Sequence, residues 1–336
     1  MAAISKSSPP PRSGSPAPRS GSPWTGLGVV FLKELADHLG SARMRVLEIL
    51  VLLTGLAAVY VSIQEIRTVT AEDPFLFLRL FTHAKEPLPS FVALLGFLIP
   101  ILSIGLVFDA INTEFTRRTM SRVLAQPIYR DALLFGKFLA GLATIAISLT
   151  VLWLLIVGLG LLTLGVPPSG EEMIRMFAFF LVALGYAAVW LAAALLFSVI
   201  FRSPATSALC ALGLWLLFSV LWPIIAPFVA QIMTTPDPMA IIFGIPDIQQ
   251  IQTAQFISRF SPGTLFGEAT IALMHPSTRA LGLVFRSDLQ GAVLGAPLPV
   301  GQSILLVWPQ ITGLIGAAIL LFAGTYVIFQ RQEIRA

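Results

Sequence analysis

The stretch F-D-A-I-N-T-E-F-T-R-R-T-M-S-R-V-L-A-Q-P-I-Y-R-D-A-L-L-F-G-K runs from Phe108 to Lys137. It sets Arg117, Arg118, Arg122, Arg130 and Lys137 against Asp109, Glu114 and Asp131, and apolar runs long enough to cross a bilayer flank it on both sides. Loops rich in Lys and Arg stay on the cytoplasmic face of a membrane, so this stretch reads as a cytoplasmic elbow over residues 108–131. In its first half Phe108, Ile111, Phe115 and the Val123/Leu124 pair recur near the 3.6-residue period, which predicts an amphipathic helix. Pro127 closes that helix, because proline disfavours helical geometry in the residue before it. The chain then re-enters the membrane through Leu133, Leu134 and Phe138. Two readings stay open here: a charged loop that only sets topology, or a helix lying flat that takes a push from a soluble partner.

Working outward, the composition agrees. Of 336 residues 56% are hydrophobic and only 11% charged, against about 25% charged in soluble domains. The fold class is therefore an all-α polytopic membrane protein. Cys210 is the single cysteine, which excludes a disulfide framework within the chain. The formal charge of +4 is not a nucleic-acid signature, since the cations flank the apolar runs instead of clustering among aromatics.

Residues 1–23 are rich in Pro, Ser and Gly and repeat P-R-S-G-S-P, which predicts a disordered tail. Residues 24–45 hold a short amphipathic elbow helix, with Leu27, Val30, Phe31 and Leu35 on one face and Lys33, Glu34, Asp37 and His38 on the other. Ser41 is placed to cap the next helix. Spans are expected at about 46–63, 90–107, 134–164, 173–201, 205–229 and 304–329, within a membrane domain over 46–336. The interval 231–303 is an exterior insert that is itself helical. Ser261-Pro262 starts one of its helices, followed by a stripe of Leu265, Phe266, Ala269, Ala272 and Leu273 that suits an interfacial or re-entrant helix ending at His275-Pro276. This stripe is expected to dock on the outer ends of the fifth and sixth spans and to gate an exit, with Ser261, Pro262, Leu265 and Phe266 as the gate residues. With both termini inside, the cytoplasmic side holds fourteen Lys/Arg and seven acids, the exterior seven and ten, as the positive-inside rule asks.

No Asp, Glu, His, Lys or Arg occupies a span centre, where proton-coupled transporters and intramembrane enzymes carry them. His38, His83 and His275 are scattered, with no metal-ligand spacing, and Gly136-Lys137 lacks the upstream glycine of a phosphate-binding loop. No catalytic residue, metal ligand or bound cofactor is expected, and any ATP and Mg would sit on another chain. The empty span centres favour an amphiphile, such as a lipid, lipid-linked molecule or hydrophobic peptide, over a free metal ion as whatever crosses.

Phe31-Leu32-Lys33-Glu34-Leu35, and across the elbow Phe108-Asp109, Glu114, Thr119, Leu124, Pro127, Arg130 and Gly136-Lys137, resemble the membrane subunits of ABC-2 type transporters. They are most similar to the permeases of Nos-type multicopper-enzyme maturation systems. Arg118 departs from the pattern, which carries glycine before the threonine. The resemblance covers roughly Trp24 to Arg335. It implies six spans of exporter type in a plasma (bacterial inner) membrane, a second permease chain, and a cytoplasmic ATPase expected in two copies. The elbow at 109–126 would be the coupling helix, with Glu114, Arg117, Arg118, Thr119 and Arg122 as ATPase contacts. The alternative is a secondary transporter or channel subunit with no ATPase.

Overall fold

The computed structural model describes residues 24–66, 75–84, 89–118, 128–235, 242, 247–279, 281 and 297–332. All regular elements among them are helices. Six are long and apolar enough to cross a bilayer: Ala42–Gln64, Phe91–Thr116, Arg130–Leu164, Gly170–Ile200, Pro204–Met233 and Val300–Arg331. The predicted all-α, six-span class is what the chain adopts. The tail 1–23, the segment 119–127 and most of 280–296 lie outside the described residues.

The first helix, α1 (Leu27–Gly40), packs on the start of α6 (Arg130–Leu164). Its buried face is Val30, Glu34 and His38. The charged face divides: Lys33 and Asp37 are exposed, as are Val29 and Leu32, while Glu34 and His38 turn inward. The reason lies on α6: a Cβ at Gly136 would stand 2.7 Å from Val30 Cγ1, so only glycine admits this approach. Lys137, next in sequence, supplies the counter-charge for Glu34. Ser41 does cap α2 (Ala42–Ile66), its Oγ accepting from Met44 N at 3.1 Å.

Beyond α2, the short α3 (Leu76–Thr82) buries Phe77, Leu78, Leu80 and Phe81, and α4 (Phe91–Val107) forms the second span. The elbow does not continue as one amphipathic helix. A turn leads to α5 (Asn112–Thr116), only five residues long, and Arg118 then takes φ 55°, in the left-handed region that stops a helix.

Next, α7 (Gly170–Ile200) is the central helix. It packs against α4, α6, α11 and α12, and buries Tyr186 and Trp190 completely. It opens with a capping box in which Ser169 Oγ accepts from Glu172 N and Ser169 N donates to Glu172 Oε2. The fifth span is α8 (Pro204–Leu216), a π-helical stretch Leu217–Leu221, and α9 (Trp222–Met233). Pro223 has no N–H to continue the i→i−4 ladder, which accounts for the change of register just before it.

α10 (Ile248–Ser258) runs back along α9, and α11 (Pro262–Met274) returns between α7 and α12 (Val300–Arg331). The tip of this hairpin is pinned inside the bundle: Trp222 Nε1 donates to Ile257 O at 3.0 Å and Ser261 Oγ to Phe218 O at 3.1 Å. Ser261 thus occupies the N-cap position without capping by its side chain. Phe266 stacks on Tyr186 at 4.6 Å between ring centroids. Tyr186 lies about 24 Å along α7 from Gly170, at ~1.5 Å per residue, so the hairpin is re-entrant. The stripe is buried at Phe266, Ala269, Ala272 and Leu273. The sixth span, α12, supports it as expected; α7, with an edge on α4, takes the place expected of the fifth span, which chiefly holds α10 and meets α11 only at the π-helical stretch.

Candidate functional site

At the elbow end of the bundle three helices meet on one ammonium group. Lys137 on α6 is 3% exposed. Its Nζ lies 2.9 Å from Glu34 Oε1 on α1 and 2.7 Å from Glu114 Oε1 on α5. A buried ion is costly unless paired and hydrogen-bonded. Each of the three therefore constrains the other two, and α1, α5 and α6 are held as a unit. Burial pushes the Glu34 carboxyl up, but Lys137 and Lys33 beside it outweigh this and hold it below the usual carboxylate range. His38, one turn further along α1, is pushed by burial below the ordinary imidazole range, with Lys137 and Arg43 adding to the effect and Glu34 and Asp109 opposing it.

The same elbow is bolted to the rest of the bundle. Ser198 Oγ on α7 accepts from Ile111 N at 2.9 Å and from Asn112 N at 3.4 Å. Ser207 Oγ on α8 donates to Phe108 O at 2.8 Å. Thr116 Oγ1 is 3.3 Å from Arg202 O, and Arg43 pairs with Asp109 at 3.0 Å. Displacing α5 therefore pulls on the N-terminal helix, on the third span and on the α7–α8 junction together. Of the residues singled out in sequence, Glu114 points inward to Lys137, whereas Arg117 and Arg118 are exposed beyond the last helical turn. Thr119 and Arg122 lie outside the described residues.

At the opposite end Arg175 on α7 is fully buried. Its guanidinium donates to Leu273 O and Ser303 Oγ, both at 3.1 Å, and to Leu298 O, and it pairs with Glu171 at 2.8 Å. It also lies 5.8 Å from the Phe75 ring centroid. Beside it Glu172 Oε1 accepts from Phe77 N at 2.8 Å, capping α3 as well as its own helix. Two consecutive turns of α7 thus anchor α3, the end of α11 and the start of α12.

Between α4, the π-helical stretch and α11 lies a cleft of about 510 Å³, bordered by Gly96, Phe97, Tyr186, Ser219, Thr264 and Phe266. Tyr186 O–H donates to Gly96 O at 3.0 Å on its floor. A neighbouring cavity of about 550 Å³ brings His83, Met274 and His275 to one rim. Among the described residues no three His, Cys, Asp or Glu side chains group to hold a metal ion.

Sequence reasoning missed the hub at this elbow. Lys137 sits among Leu134, Phe135, Phe138 and Leu139, and an ammonium inside such a run demands a counter-charge from elsewhere. That demand was the available signal; the partners, 103 and 23 positions upstream, gave none. Arg175 at a span end and the hydroxyls of Tyr186 and Ser198 within the spans are visible in the sequence, but their partners are not, because each acts through carbonyls or amides remote in sequence.

Comparison with known proteins agrees with this architecture. The model of the ABC-2 family transporter protein matches residues 29–334. A probable ABC transporter permease protein, NosY, of Stutzerimonas stutzeri is 25% identical over 258 residues, covering 75% of this chain and 82% of the relative.

Proposed function

We propose, from the premise that the chain belongs to the ABC-2 family of transporter proteins, how this ABC transporter membrane subunit is driven and paired. A separate cytoplasmic ATPase, present in two copies with its own ATP and Mg, docks on the elbow end. A second permease chain completes the membrane unit, and the direction is export. Both termini then lie in the cytoplasm, and the end carrying the α6–α7 turn faces outward.

The observation that carries this reading is the Glu34–Lys137–Glu114 hub, which ties the elbow to α1 and the third span through a buried charge. A topology loop needs no such connection; a lever does. Arg117 and Arg118, exposed just beyond α5, are the ATPase contacts, and the hub passes their displacement into the bundle. The substrate class is an amphiphile, supported by the aromatic and hydroxyl lining of the cleft at Tyr186, Phe97, Ser219 and Thr264.

The test is copurification with the ATPase and ATP hydrolysis by the reconstituted complex. Arg117→Glu with Arg118→Glu is expected to weaken ATPase retention at least tenfold while membrane insertion is unchanged. Undiminished retention and hydrolysis would remove the elbow from the drive. A chain that transports in vesicles with no ATPase would establish the secondary-transporter alternative.

A further inference from the structure

The hairpin carries a second cavity, on its other flank. About 580 Å³ in volume, it lies between α10, α11 and α12 and is bordered by Phe256, Arg259, Phe260, Leu306 and Gln310. Arg259 Nε reaches the two oxygens of Glu268 at 3.0 and 3.2 Å. Gln310 Nε2 donates to the same carboxylate at 2.8 Å. Gln310 is 3% exposed, and its Oε1 accepts no hydrogen bond from the described residues. The amide cannot be turned over to relieve this, since that would set its oxygen against the carboxylate.

Gln310 lies about 15 Å along α12 from Val300, at ~1.5 Å per residue. Trp308, two residues away, is 61% exposed, and tryptophan favours the headgroup level of a bilayer. Ionisable groups at membrane depth are expensive and mark binding sites by default. This one offers a guanidinium matched to phosphate, a carboxylate, and an amide oxygen that lacks an N–H donor. Phe256, Phe260 and Leu306 form apolar walls of the kind acyl chains fill.

We propose that this cavity binds one phospholipid with a primary-ammonium headgroup, a phosphatidylethanolamine of the outer leaflet. Its phosphate meets Arg259, and its ammonium donates to Gln310 Oε1 and faces Glu268. Phosphatidylglycerol can donate a hydroxyl to Gln310 Oε1 but brings no cation to face Glu268, and so sets its phosphate beside that carboxylate uncompensated. Phosphatidylcholine brings a cation without an N–H. The proposal rests on the reading above only in placing this end of the bundle in the outer leaflet.

The experiment is native mass spectrometry of the full chain, delipidated in mild detergent and titrated with each of the three lipids and with mono- and dimethylated phosphatidylethanolamine. The full chain is expected to retain phosphatidylethanolamine about tenfold more tightly than phosphatidylcholine, the worth of one charge-assisted hydrogen bond, with the preference falling as methyl groups replace N–H. Gln310→Leu is expected to erase the preference, and Arg259→Gln to weaken retention of all the phospholipids. Equal retention of all lipids, or a preference for phosphatidylglycerol, overturns the site; the methylation series reads this without a variant. Because no ATPase or nucleotide is present, loss of ATPase copurification would overturn the transport reading and leave this result standing.

Discussion

At the residue scale, Arg118 occupies a position where backbone and side chain ask for different things. Its φ of 55° costs an L-residue roughly 1–2 kcal/mol, and glycine nothing. Glycine would follow the backbone here; this chain keeps a cation instead. Arg118→Gly is therefore expected to leave the melting temperature within error, the relieved strain offsetting glycine's extra chain entropy. Arg118→Val should destabilise by about 1–2 kcal/mol, since a β-branched residue fits this region worst. ATPase retention separates the charge from the backbone, because Arg118→Gly is expected to lower retention while leaving stability intact. His38 makes a second residue-scale case. Buried and neutral, with its pKa held below the ordinary value, it contributes stability above pH ~6.5 that is lost as pH falls through the folded pKa. Glu34, also depressed, loses its contribution lower still, in the acid range. Thermal stability of the purified chain should thus fall between pH 7 and 5, and His38→Gln should flatten that slope. An unchanged slope in the variant would move the pH dependence elsewhere.

At the element scale, what could be read in the sequence was periodicity, and what could not was which face a helix turns inward. Ser261-Pro262 and the stripe behind it marked α11 from local signals alone, and its helix runs where they put it. For α1 periodicity separates two faces without saying what surrounds each: in a bilayer apolar residues gain as much from lipid as from protein, so it is the polar residues that need partners. Glu34 and His38 therefore turn inward, toward Lys137. The same inversion governs the hairpin. With lipid as the alternative surroundings, Phe266 holds α11 by stacking on Tyr186, not by escaping water. Phe266→Ala should accordingly cost only its packing, at or below the low end of the roughly 3–5 kcal/mol typical of soluble cores. Arg175→Met removes the guanidinium that joins Leu273, Leu298 and Ser303 and leaves those groups unpaired, at a cost of about 3–5 kcal/mol. Limited proteolysis within residues 276–299 should rise far more for Arg175→Met than for Phe266→Ala. The reverse order would mean that the stack, not the guanidinium, holds the hairpin.

At the scale of the whole molecule, the spans divide by how much protein covers them. The second and fourth are 61% and 67% buried and the fifth only 11%. Low burial alone is not an interface, because apolar side chains face lipid at no cost. The cleft beside the π-helical stretch decides the matter. Ser219, Thr264 and Thr270 line it, and a polar lining open to lipid is unfavourable unless another surface covers it. A second copy related by a two-fold axis would cover it if the fifth spans faced each other, and such an axis brings a residue close to its own equivalent. Ile224, 68% exposed beside Pro223 of the cleft, would then lie near the axis, whereas Leu305 on the sixth span, 76% exposed, would lie away from it. The single native cysteine makes this readable, since Cys210→Ala leaves a chain with no thiol. In that background Ile224→Cys should give a covalent dimer with a short thiol-to-thiol reagent in membranes, and Leu305→Cys should not. Dimers through Leu305→Cys alone would move the pairing face to the sixth span and leave the cleft facing lipid. Monomer from both variants, in a complex that still hydrolyses ATP, would mean that the partner is a different permease chain.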